Sequence, residues 1–163
     1  KSLTTGVVPP AAFDVLKMEE GVWDAAIEFP AASPDQAPTT ASGVQTNTFV
    51  TGDRWIRNDF SVDAKYGGHG TWGYDPKKGV YVGIWVDSNQ DYIRFDEGRY
   101  DAASKTMTWT SELRQPAPYP PAKYRMTEEF RGDARVLTMT AIGPNRFGRA
   151  SASTAPNASA STT

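Results

Sequence analysis

Val80-Tyr81-Val82-Gly83-Ile84-Trp85-Val86-Asp87 alternates two kinds of side chain with a period of two. Successive side chains on a β-strand point to opposite faces, so Val80, Val82, Ile84 and Val86 share one face and Tyr81, Gly83, Trp85 and Asp87 the other. The aliphatic face is expected to be core. The second face offers aromatic bulk, a gap and a carboxylate, the ingredients of a ligand-pocket wall. Directly before it, Asp75-Pro76-Lys77-Lys78-Gly79 reads as a hairpin turn.

Outward from this strand the chain breaks into similar short runs, separated by clusters of glycine, proline, asparagine and aspartate. They cover residues 22–29, 43–50, 54–62, 69–74, 80–86, 91–97, 107–113, 123–130, 135–142 and 147–153. Thr51-Gly52-Asp53 and Asp101-Ala102-Ala103-Ser104-Lys105 are further hairpin turns. About ten strands at hairpin spacing predict a sandwich or an up-and-down barrel. The one good helix candidate lies over Ala11 to Glu20, behind Pro9-Pro10, with Phe13 and Leu16 on one side and Gly21 as its stop.

The chain has 163 residues, net charge −2, no cysteine and one histidine. That size suits one domain, set here at residues 1–149, with 150–163 (ASASTAPNASASTT) as a low-complexity tail or an added edge strand. The aromatic share of 12% and the many threonines are what half-buried pleated surfaces use, so the composition is all-β. Without cysteine there is no disulfide framework, thiolate nucleophile or zinc ribbon. Neither half of the chain is strongly basic, which argues against a nucleic-acid partner. No apolar run reaches the roughly 20 residues of a membrane span. The expectation is a soluble protein, cytoplasmic or exported, since position 1 is Lys and any signal would have left with a removed N-terminal piece. Self-association stays open.

Other strands repeat the mixed faces. Trp55, Arg57 and Asp59 alternate with Ile56, Asn58 and Phe60; Arg125, Thr127 and Glu129 alternate with Met126, Glu128 and Phe130; Met107, Trp109 and Ser111 mix apolar and polar groups. A barrel lumen holding one small ligand explains such faces, and so does a solvent face with ordinary Arg57/Asp59 and Arg125/Glu129 surface pairs. The first functional reading is a binding barrel for a small, largely apolar or aromatic molecule. Trp55, Trp85 and Trp109 would stack on it, Arg57, Arg125 and Asp87 orient it, and Tyr119 add an aromatic rim. The second is a cofactor-free isomerase, lyase or hydrolase in the same cavity. Asp87, Glu129, His69 and Tyr81 would be its acid/base candidates, with Arg125 or Arg57 stabilising negative charge. A third makes His69, in Gly67-Gly68-His69-Gly70, a haem ligand; the alternative is an exposed loop histidine. No metal site and no cofactor beyond that reading are expected. The proline-rich loop at 31–40 and the Gln115 to Pro121 segment are expected to border, and the first to gate, the pocket mouth.

Gly21-Val22-Trp23 after a short helix resembles the glycine-any-tryptophan opening of lipocalins and other calycin barrels. There the tryptophan closes one end, often under an arginine of the last strand, a role open to Arg146 or Arg149. Thr51-Gly52-Asp53-Arg54, Gly73-Tyr74-Asp75, Trp85-Val86-Asp87-Ser88, Glu97-Gly98-Arg99-Tyr100-Asp101 and Lys123-Tyr124-Arg125 resemble, in order, a bacterial domain-of-unknown-function family, DUF1579. The likeness spans about residues 13 to 149. It implies an all-β, calycin-like antiparallel up-and-down barrel of about 8–10 strands with a short N-terminal helix, and no settled activity.

Overall fold

The computed structural model describes residues 10–29, 31, 35–63, 65–114, 117–142 and, for their backbone, 152–160. Helix α1 (Pro10–Lys17) precedes ten strands: β1 (Gly21–Phe29), β2 (Thr39–Val50), β3 (Trp55–Val62), β4 (Tyr66–Asp75), β5 (Val80–Asp87), β6 (Arg94–Asp101), β7 (Thr106–Leu113), β8 (Ala122–Arg131), β9 (Ala134–Ile142) and β10 (Ala152–Ala160). Each of β1 to β9 pairs antiparallel with the next, and these nine strands curl into an up-and-down barrel wall. The gap between β9 and β1 is bridged by β10, which pairs Ser159 with Ala134 on one side and Ala158 with Ala25 on the other. The stretch expected as tail or edge strand thus contributes that backbone strand, while residues 143–151, with Arg146 and Arg149, lie outside the described residues.

The helix is shorter than expected. After Lys17 the chain tightens through Glu19 N–H to the Leu16 carbonyl at 3.0 Å and Glu20 N–H to the Lys17 carbonyl at 3.2 Å. Gly21 then turns it into β1 at φ 127°, a left-handed conformation that suits glycine.

Antiparallel order gives the barrel two unlike ends. At the end where β1 begins lie α1 and tight hairpins. One holds Thr51, Gly52 and Asp53 at φ 56°, 67° and 59°; in another, Asp75 Oδ1 accepts the Lys77 and Lys78 N–H groups. Asp101 likewise receives Ala103 N–H and the Ser104 hydroxyl. At the other end lie the longer connections 30–38, 88–93 and 114–121, so both segments expected at the mouth join strands there. Residues 30, 32–34, 115 and 116 of them lie outside the described residues.

The register fixes which residues look inward, because directly opposed residues share a face. Three inner rows run across the wall: Tyr74, Tyr81, Gly98, Trp109, Met126, Met139; Ile56, Trp72, Gly83, Asp96, Ser111, Tyr124, Ala141; and Asn58, Gly70, Trp85, Arg94, Leu113, Ala122. Phe60, Gly68 and Asp87 form a fourth, nearer the open end. This corrects the expectation that Val80, Val82, Ile84 and Val86 are core. Val80 is buried at the strand's start, but Ile84 lies outside, 42% exposed beside Phe95 at 51%. The aromatic face faces inward because glycines opposite it leave room for the rings. A Cβ on Gly83 would stand 2.1 Å from Trp72 Cδ1, one on Gly68 2.3 Å from Trp85 Cζ2, and one on Gly98 2.4 Å from Trp109 Cε3. Indoles therefore lie flat against the sheet, which bare backbone alone permits.

Candidate functional site

At the helix end the interior is filled. Ala12, Val15 and Leu16 pack onto Ile56, Tyr81, Met107, Trp109 and Met126, with Leu16 and Met107 fully buried. Tyr81 donates its hydroxyl to the Ala12 carbonyl at 3.1 Å, tying the helix to β5. The Glu19 carbonyl accepts both Trp23 Nε1 at 2.9 Å and Asn47 Nδ2 at 2.6 Å. Glu19's carboxylate meets Arg135 of β9 at 3.1 Å, and that guanidinium lies 5.5 Å over the Trp23 ring. So Arg135, one strand earlier than the sequence suggested, covers the plugging tryptophan. Glu19 is pushed up to about 8, by burial first and by Glu128 second, against the pull of Arg135. A carboxylate buried beside a second acidic side chain ionises only at a cost, even with a guanidinium against it. Glu128 Oε2 finds no hydrogen-bond partner among the described residues.

The opposite half of the interior is built differently. Trp72 and Trp85 lie 6.1 Å apart between centroids at 34°, and Phe60 and Tyr66 meet edge-on at 6.2 Å. All four face inward, yet all remain partly exposed. Arg94 grips Asp96 through Nε and Nη2, both at 2.9 Å, and sits 5.6 Å over the Trp85 ring. Trp72 Nε1 donates to Asp96 Oδ2 at 3.2 Å; Trp85 Nε1 donates to Asp87 Oδ2 at 3.0 Å, and Asn89 N–H to its Oδ1 at 2.9 Å. Tyr66 is pushed up to about 12, by burial first and then by the charge of Asp87, against a weaker effect of Arg94. Below this network Asn58 Oδ1 and Ser111 Oγ are buried without a partner among the described residues.

Of the residues named from sequence, Asp87, Tyr81, Trp85 and Trp109 face the lumen, Asp87 and Trp85 together in its open half and Tyr81 and Trp109 in the packed half. The others lie elsewhere. Trp55 and Arg57 are on the outer face, opposite Gly73 and Thr71, and Arg57 pairs with Asp59 at 2.8 Å. His69 is exposed on the same outer face, opposite Asp59 and Val86. Arg125 and Glu129 face outward opposite Thr110 and Thr106, and Glu129 pairs with Arg131. Tyr119 is 49% exposed in the β7–β8 connection. The expected partnership of Arg125 with Asp87 is therefore corrected: the two lie on opposite faces of the wall, and Arg94 is the guanidinium beside the indoles.

Sequence reasoning missed Arg94, Asp96, Trp72 and Tyr66, and gave no site role to Asn58 and Ser111, which it placed only on mixed strand faces. The signal for the first two lay in Arg94-Phe95-Asp96, whose alternation sends both charged groups to one face. A further groove of about 550 Å³ lies on the β1–β3 wall, lined by Asp24, Ala26, Ser42, Val44, Ser61 and Asp63 among others, away from the indoles. Among the described residues no cluster of three or more metal-ligating side chains occurs, and no helix is long and apolar enough to cross a membrane.

Fold and interior together define a calycin-like antiparallel barrel, plugged by a helix at one end and lined with aromatic side chains towards the other. The chain belongs to the family described as protein of unknown function, DUF1579, whose model matches residues 9–147. No curated protein matches it.

Proposed function

We propose that the barrel binds a small, largely apolar or aromatic molecule in the open half of its lumen, against Trp72 and Trp85. One observation carries this reading: inward-facing Phe60, Tyr66, Trp72 and Trp85 stay partly exposed, while Trp23, Tyr81 and Trp109 towards the helix end are buried. A concave aromatic wall with few polar groups is what small-molecule sites use. The pairing of Asp96 with Arg94, and the N–H donors on both oxygens of Asp87, favour binding over proton transfer, for which a carboxylate free of such partners is the better base. The Glu19 and Glu128 carboxylates lie at the helix end, remote from this wall.

The test is tryptophan fluorescence and thermal shift against a panel of neutral phenols, aromatic amines, aromatic acids, retinoids and fatty acids. Saturable quenching and a raised melting temperature with at least one class are expected, both weakened by Trp85→Ala. A silent panel, or binding indifferent to Trp85→Ala, overturns the reading.

A further inference from the structure

The open half of the lumen holds more carboxylate than cation. Asp87, Asp96 and Arg94 face it, and Arg94 is engaged by Asp96 in a two-point pair. Asp87 is met by neutral donors alone, Trp85 Nε1, Asn89 N–H and the Tyr66 hydroxyl, and among the described residues no cation reaches it within ion-pair distance.

A second, independent observation lies one step deeper. Asn58 and Ser111 are 8% and 0% exposed, face the same lumen, and present Oδ1 and Oγ without partners among the described residues. A buried carbonyl oxygen of this kind is completed only by a donor, and leaving it bare costs about 1–3 kcal/mol. Asn58 shares its row with Trp85; from Asp87 it lies two residues along the strands, about 7 Å, and two strands across, about 10 Å, so about 12 Å in all. One aromatic ring with a short side arm and a hydrogen bond at each end spans such a distance.

Resting on the binding reading above, we infer that the ligand is a hydroxylated arylalkylamine. Its protonated amine sits at Asp87 in the mouth, its ring lies on Trp72 and Trp85, and its hydroxyl donates to Asn58 Oδ1. Arg94 over Trp85 shows that this indole already accepts a cation on its face, and the charge of Arg94 itself is balanced by Asp96. A carboxylate-bearing ligand would place a third negative group beside Asp87 and Asp96 with no free cation among the described residues to receive it.

Calorimetry with tyramine, phenethylamine, para-ethylphenol and para-hydroxyphenylpropanoate near neutral pH tests the assignment. Tyramine is expected to bind about tenfold tighter than para-ethylphenol, para-hydroxyphenylpropanoate weakest, and phenethylamine severalfold weaker than tyramine. Asp87→Asn keeps a carbonyl oxygen for the Trp85 N–H and is expected to bring the tyramine to para-ethylphenol ratio close to one. Equal affinities, a preference for the acid, or a ratio that survives Asp87→Asn overturns the amine assignment while leaving a binding barrel. No binding of any of the four overturns it too, and together with a silent wider panel removes the binding reading as well.

Discussion

The two halves of the lumen use the same residue types to opposite ends. At the helix end Trp23 and Trp109 are 6% and 2% exposed, the Glu19 carbonyl takes two donors, and the one guanidinium is shared between a carboxylate and an indole face. In the open half Trp72 and Trp85 stand on glycine wall positions, partly exposed, above polar atoms that no described neighbour completes. The helix makes the difference: it fills its own end with Ala12, Val15 and Leu16, and no described element performs that service at the other. One end is a core and the other a surface folded inward.

Deleting equal volume from each half breaks this comparison most sharply. Leu16→Ala is expected to cost about 3 kcal/mol, since a fully buried side chain leaves a cavity that a clamped helix cannot collapse into. Leu113→Ala, on a partly exposed inward position of the open half, is expected to cost about 1 kcal/mol. Urea denaturation of both variants reads the difference, and equal losses would mean the halves are equally packed.

The next effect is on pH. Glu19 in the fold is pushed up to about 8 from 4.5, so between those values the folded state holds a proton the unfolded chain releases. Its contribution to stability is complete below about 4.5 and is lost as pH rises through 8. Urea midpoints from pH 5 to pH 8 are expected to fall by roughly 2 kcal/mol in equivalent stability, and Glu19→Gln to flatten that slope. A slope unchanged in Glu19→Gln would place the proton elsewhere.

The smallest contrast comes from adding a methyl group under an indole in each half. Gly98→Ala lifts buried Trp109, which has nowhere to go, and is expected to cost about 2 kcal/mol. Gly68→Ala lifts Trp85, which is free to lean into the open half, so less than about 1 kcal/mol is expected, with a changed emission from the ring. Thermal melts and fluorescence of the pair settle the order.

The strands and the helix plug were legible because alternation, hairpin turns and the Gly21-Val22-Trp23 start are local signals. Which face turned inward was not. At β5 the aliphatic face looked like core by hydrophobicity, and only the register showed that Gly68, Gly70 and Gly98 on neighbouring strands make room for rings on the other face. The same ambiguity put Arg57 and Arg125 beside a ligand and passed over Arg94. A charged residue on a strand carries no sign of which side of the wall it occupies until its cross-strand partners are known. Arg135 was missed as the cover of Trp23 because the motif pointed to an arginine of the last strand, and that strand is made of small uncharged residues.

The order of the strands also dictates how the chain assembles. From β1 to β9 every pairing joins neighbours in sequence, so each closes a short loop at small entropic cost and contact order stays low. The seam is the exception: Trp23 meets Ala160 across nearly the whole described chain. That pairing is the last to reward its closure, so folding proceeds as a sheet that grows hairpin by hairpin and then rolls up. In the native state the same seam is where the cylinder is expected to unzip first, with β1 amides exchanging hydrogen before those of β5 or β6.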